Sequence, residues 1–420
     1  MFKHLFVDET SSLRVPAEIR ISSWLLALYV ALLPIATGLT GLIGSISPLN
    51  YVAALYLLVS FFERLRGREA IIKKEFSFAY FYFCFTTLSF LWNANRSFDW
   101  YFTTFLTTAL LFTMAASRRY SKKELKLFIA ASMVSIGIVF AVTAMNFPPR
   151  FYRFVFKAIT KMDSNDFACG LCVVIALIMT MSLQEKRSWM VLILSLLYLI
   201  VVFSSSRGAM LLTVGMTIWW IGAAAARKKI LIPLIPVILF AVMFLIVVFA
   251  GTSLLHMKAK TVKFMISRLN PMLLLQSGGQ GRAVIWKAAF QTFLDSNPLR
   301  MLFGYGHGAF RNAVNYPGPE VEKAFLSHNM YVNALIEGGA VGLALLLAAF
   351  VQLFRFTLKN KNLWGTLALI GFALEGVSLD AQTFRVFAWA FIVAAIYGGG
   401  EKNELVFAAS GDGDRTDLQG

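Results

Sequence analysis

A histidine and two arginines stand where the chain carries little other charge, and their surroundings suit the handling of phosphate and protons. His328 lies in Ala324-Phe325-Leu326-Ser327-His328-Asn329-Met330-Tyr331, where the polar stretch 251–329 meets a long apolar run. Ser327 is a fair N-cap, which predicts His328 in the first turn of the helix that follows. A histidine there exchanges protons near neutral pH, and the positive helix end disfavours its charged form, so it can wait as a neutral base. It also fits a rim histidine that only bonds its neighbours.

Arg207, in Phe203-Ser204-Ser205-Ser206-Arg207-Gly208-Ala209, sits between two apolar runs with almost no loop. A planar guanidinium beside several hydroxyls suits bidentate capture of phosphate. Arg282 opens an amphipathic segment, Gly281 to Leu294, that Asn297-Pro298 ends, and can join Arg207 from above the membrane surface. Each arginine equally fits a structural ion pair with Glu337, Glu375 or Asp380. Ser206, Asn329 and Tyr331 complete a candidate substrate-binding set, although a tyrosine at a membrane interface also serves as an anchor. Glu337 lies nine residues beyond His328, about 180° around a helix at about 100° per residue, so it faces away from it. His4, His256, His307 and His328 form no ligand cluster, and the expectation is chemistry without metal or cofactor.

The elements that must position these residues are membrane spans. Of 420 residues, 58% are hydrophobic and only 15% charged, a composition that excludes an ordinary soluble protein. The formal charge of +17 therefore reads as orientation in a bilayer rather than affinity for nucleic acid. Cys84, Cys169 and Cys172 lie inside apolar runs and read as small buried hydrophobes. The first twenty residues are polar, so the first apolar run is expected to stay as a span rather than be cleaved as a leader.

Spans of about twenty apolar residues, somewhat fewer where neighbours shelter the ends, number about twelve. They fall near Ser23–Thr40, Pro48–Phe62, Phe76–Trp92, Trp100–Ala116, Leu125–Ala144, Phe167–Leu183, Met190–Phe203, Ala209–Ala225, Ile230–Ala250, Met330–Phe354, Leu363–Leu379 and Arg385–Gly398. Alternate connections hold most of the Lys and Arg, among them Arg64, Lys73, Arg118, Lys122, Lys186, Lys228 and Lys359, which assigns them and both termini to the cytoplasm. The division is then spans one to nine over 1–250, an outer loop over 251–329, spans ten to twelve over 330–400, and a disordered cytoplasmic tail over 401–420. The tail's Asp412-Gly413-Asp414 resembles a sugar-nucleotide metal motif but sits on the wrong side for the other candidates.

Ser204-Ser205-Ser206-Arg207-Gly208, then Gly281-Arg282 with Trp286, then Ser327-His328-Asn329 followed by Glu337-Gly338-Gly339 and Gly342, resemble the O-antigen ligase and polymerase superfamily. The likeness covers the second half of the chain by motif and the whole by span count. It implies an all-α polytopic membrane protein of about twelve transmembrane helices, with a glycosyltransferase architecture of the GT-C kind and one large periplasmic loop between the ninth and tenth spans. It implies an inner-membrane enzyme with a periplasmic active site that takes a glycan from undecaprenyl diphosphate and joins it to the lipid A-core, with inversion. His328 would be the base, and Arg207 and Arg282 the diphosphate-binding pair. Membrane lipids are the other implied partners. Polymerases and protein-glycosylating members of the same superfamily are alternatives, as is a lipid-linked glycan transporter. A transporter should show repeated halves and polar residues through the bilayer midplane, which this chain lacks.

Overall fold

A computed structural model describes residues 18–35, 47–67, 72–93, 100–145, 164–184, 189–204, 206–253, 257, 259–269, 282–314, 327–380 and 385–396. Arg96, the loop around Arg150 to Lys161, the glycines of 278–281 and the tail with Asp412 and Asp414 lie outside them.

Regular structure among the described residues is helical, and each of the twelve apolar runs coincides with a helix. These are α1 (Ile21–Leu32), α2 (Pro48–Gly67), α3 (Ser77–Ser89), α4 (Trp100–Ala116), α5 (Lys122–Met145), α6 (Ser164–Gln184), α7 (Trp189–Ser204), α8 (Arg207–Ala226) and α9 (Leu231–Ala250), then α14 (Met330–Lys359), α15 (Leu363–Glu375) and α16 (Arg385–Ile396). Between α9 and α14 lie α10 (Ala259–Leu269), α11 (Arg282–Leu294), α12 (Pro298–Phe303) and the single turn α13 (Phe310–Ala313). By length and composition α5, α8, α9 and α14 can cross a membrane, and six further apolar helices are shorter. The chain is a polytopic membrane protein.

Burial sorts the helices. Every residue of α16 from Val386 to Ile396 is buried, and the helix packs on α15, α4 and α14 through Phe387 and Phe391 against Phe372, Phe112 and Phe350. A helix apolar on all sides and covered on all sides is the centre of a bundle. On α9, by contrast, Leu231, Ile238, Val242, Leu245 and Phe249 stay exposed, a surface suited to lipid.

Helix α14 breaks at Gly339, whose φ of 66° and ψ of −165° are not helical. The break leaves the carbonyls of Ile336 and Glu337 without their intrahelical donors, and the amides of Tyr305 and Gly306 supply hydrogen bonds of 3.0 and 2.8 Å. Gly304 and Gly339 make this crossing possible, since a Cβ on the first would overlap Glu337 O and one on the second Leu302 O. The segment after α12 is thereby plugged into the kink. A second small core, Ala289, Phe310, Val314, Val332 and Ile336 with Trp286 and Phe293 packed on it, docks α11 onto the first turns of α14.

Candidate active site

The segment containing His328 is a tight corner built from its own polar side chains. Asn329, not Ser327, caps α14, with its Oδ1 accepting from the amides of Tyr331 and Val332 at 2.9 and 3.0 Å. Ser327 Oγ instead donates to Asn329 O at 2.6 Å and accepts from Asn329 N at 3.0 Å. His328 therefore precedes the helix rather than lying in its first turn, because Ser327 spends its hydroxyl on the corner. His328 has φ of 54° and an exposed side chain. Histidine visits this left-handed region more readily than bulkier residues, at a modest cost that neighbours must offset.

The corner is strapped to the turn that follows α15. Met330 N donates to Gly376 O at 2.7 Å and to Leu379 O at 3.1 Å, and Asn329 Nδ2 donates to Val377 O at 3.1 Å. From the other side, Trp286 Nε1 on α11 donates to Ser327 O at 2.9 Å. Arg282 sits one turn before Trp286, at the start of the same helix.

The same turn receives the start of α8. Ser206 caps that helix through Ala209 N, and Arg207, its first residue, is half-buried. Gly208 presses directly on the turn, where a Cβ would overlap Ser378 Oγ and come within 2.6 Å of Glu375 Oε1. Arg282 is within electrostatic reach of Glu375. The three segments carrying Arg207, Arg282 and His328 thus meet around residues 375–380, at one end of the bundle. That end also holds the last turn of α3 and the first turns of α4 and α16, as the alternation of spans requires.

Three of the predicted contacts are committed to the protein. Ser206 and Asn329 are buried caps, and Tyr331 Oη donates to Ala373 O at 2.7 Å. Their polar atoms frame the corner. Glu337 does face away from His328: its Oε2 accepts from Tyr101 Oη at 3.1 Å and lies 3.2 Å from His307 Nδ1. His307 is fully buried and stacked on Tyr101 at 4.6 Å, with its ring turned so that neither nitrogen forms a well-aligned hydrogen bond. Its amide donates to Ser89 Oγ at 3.0 Å, and its carbonyl accepts from Asn93 Nδ2 at 2.8 Å. Asp380 Oδ2 accepts from Tyr101 Oη at 3.1 Å and Asn333 Nδ2 at 2.5 Å, while Asn333 Oδ1 accepts from Ser327 N at 3.0 Å.

This network, Tyr101–Asp380–Asn333–Ser327, runs beneath His328 and ties α4 and the turn after α15 to the corner. Sequence reading missed Tyr101, Ser89 and Asn93 altogether, and named Asp380 only as a possible arginine partner. Their signal is long-range, since Tyr101 and Asp380 stand 279 positions apart. The described residues contain no group of three or more His, Cys, Asp or Glu side chains able to hold a metal.

A polytopic helical membrane protein with arginines, a histidine and buried acids gathered at one end of its bundle is the class that fold and site define. Residues 190–347 match the family model described as O-antigen ligase, a match that supports membership of that family. The match takes in Arg207, Arg282, His328 and Glu337 and ends before Glu375 and Asp380. No curated protein matches the chain.

Proposed function

We propose that the chain is an inverting glycosyltransferase that moves an O-antigen glycan from undecaprenyl diphosphate to a sugar of the lipid A-core, at the end of the bundle facing the periplasm. The observation that carries this reading is that the start of α8, which bears Arg207, and the corner bearing His328 both pack on the turn 375–380, with α11, which bears Arg282, bonded to that corner through Trp286. The family of residues 190–347 supports it.

The chemistry follows from what each group can supply. Diphosphate leaves readily once its growing negative charge is held, and positioned guanidinium groups in a site sheltered from water hold it well. Arg207 and Arg282 take that role, and no metal is required. The acceptor hydroxyl attacks the anomeric carbon from the face opposite the diphosphate, the sugar–phosphate bond breaks, and the polyprenyl diphosphate departs. His328 takes the hydroxyl proton. One displacement inverts the anomeric configuration. Val284, Phe290, Leu294, Leu299 and Leu302, exposed on α11 and α12, would rest on the outer leaflet beside both lipid substrates.

Removing a general base typically slows a reaction about 10²–10⁴-fold. Purified His328→Ala is therefore expected to bind donor and transfer glycan at no more than about one hundredth of the wild-type rate. Transfer at the wild-type rate would contradict the role.

A further inference from the structure

Asn333 stands in the first turn of α14, fully buried between the buried apolar residues Val332 and Ala334. Asparagine is a poor helix former, and a buried carboxamide is costly unless its oxygen and its nitrogen both find partners. Both do here. Oδ1 accepts from Ser327 N at 3.0 Å, and Nδ2 donates to Asp380 Oδ2 at 2.5 Å. The amide hydrogen of Ser327 requires the oxygen on its side, so the nitrogen is turned to Asp380.

The backbone of Asn333 grips the same corner a second time, its amide donating to Asn329 O at 3.0 Å. Ser327 N and Asn329 O lie on either side of His328 along the chain, so one residue brackets the histidine. His328 has φ of 54°, a conformation that persists only where its surroundings hold it. Asp380 is itself fixed by Tyr101 Oη at 3.1 Å, which anchors the bracket in α4 and in the turn after α15.

We propose that Asn333 is the positioning residue for the base: with Asp380 behind it, it sets the backbone angle at which His328 is presented to the acceptor hydroxyl. This rests on the reading of His328 as the general base. Asn333 touches no reacting atom, and its effect falls on the chemical step rather than on capture of the donor.

The test pairs one disruption with one repair, in the full-length protein in detergent micelles. Asn333→Leu keeps the volume and removes both side-chain bonds, and should lower kcat at least about tenfold while the KM for the lipid-linked donor moves less than about threefold. The double variant Asn333→Asp with Asp380→Asn rebuilds the contacts with donor and acceptor exchanged and no change in net charge. The carboxylate at 333 accepts from Ser327 N and from the amide at 380, whose second hydrogen faces Tyr101 Oη, and Tyr101 keeps its own proton for Glu337 Oε2. Its kcat should exceed that of Asn333→Leu at least about fivefold. Hydrogen exchange at the Ser327 and Asn329 amides should quicken in Asn333→Leu and slow again in the double variant. A side chain that only stabilises the fold predicts a lower unfolding temperature with kcat per folded molecule unchanged. A smaller loss of kcat in Asn333→Leu, or a double variant no faster than it, overturns the proposal. Should Asn333→Leu fail to fold, Asn333→Ala is read in its place with the same outcomes. No transfer by the wild-type chain removes the glycosyltransferase reading and this inference with it, whereas wild-type transfer that neither variant changes removes this inference alone.

Discussion

The two ends of the bundle use the same residue types to opposite effect. At the end assigned to the cytoplasm, acids and arginines grip each other: Arg20 Nε lies 2.7 Å from Glu124, Arg118 Nη2 lies 2.8 Å from Glu63, and Arg64 donates to Met114 O and Ser117 Oγ. At the other end, Glu375 accepts no hydrogen bond among the described residues, and Arg207 and Arg282 are half-buried. Backbone strain divides the same way. Lys228 and Lys361 also have positive φ, but each follows a helix and closes its last turn through bonds such as Lys229 N to Ala224 O and Asn362 N to Thr357 O. His328 has positive φ before a helix, where no such closure needs it. One end is saturated and holds the helices in register. The other carries a buried acid that accepts no hydrogen bond among the described residues and a histidine with left-handed backbone.

Substitutions can break or sharpen that contrast. The largest effect is expected at the unsaturated end, where Arg282→Gln or Arg207→Lys should lower turnover by about 10²–10³-fold, as loss of one positioned charge-stabilising donor does elsewhere. Near-normal turnover by Arg207→Lys, which keeps charge but loses the planar fork, would favour a simple ion pair. At the saturated end, Glu124→Ala leaves Arg20 with Arg119 O and the Tyr120 ring and removes the acceptor of Ser23 and Ser121, and should cost about 1–3 kcal/mol of stability, seen as a lower unfolding midpoint, with turnover per folded molecule retained. Equal loss of stability from Glu375→Gln would erase the difference between the ends. Gly208→Ala forces a methyl onto Ser378 Oγ and should lower both donor affinity and stability, the latter by about 1–3 kcal/mol, the usual cost of overpacking. Trp286→Phe removes one hydrogen bond to the His328 corner and should cost only about 1 kcal/mol, read as a change in turnover of about fivefold.

Much of this division is legible in the amino-acid sequence, and the rest is hidden for physical reasons. Apolar run length locates the twelve helices, because a span must match the bilayer. The two apolar runs on either side of the serines are separate helices, α7 ending at Ser204 and α8 starting at Arg207. His328 and Arg207 are conspicuous as ionisable residues at span edges, and Arg282 as the first residue of the loop helix. The cap of α14 is misread because Ser327 and Asn329 are both good caps, and only the folded corner decides between them. The three acids cannot be ranked from sequence at all. Which of Glu337, Glu375 and Asp380 stays without a hydrogen bond depends on Tyr101, far earlier in the chain, and on how closely Gly208 lets α8 approach. The kink at Gly339 is equally silent, since its partners are the amides of Tyr305 and Gly306 in another segment.

The central claim is that the unsaturated end joins a lipid-borne glycan to a second lipid. The most direct measurement incubates the purified chain with undecaprenyl-diphosphate-linked glycan and rough lipopolysaccharide and resolves the products on a gel. The account predicts lipopolysaccharide extended by the glycan, formed only when both substrates are present and lost with His328→Ala. A ladder of longer lipid-linked glycans without acceptor, or no new product at all, would contradict it.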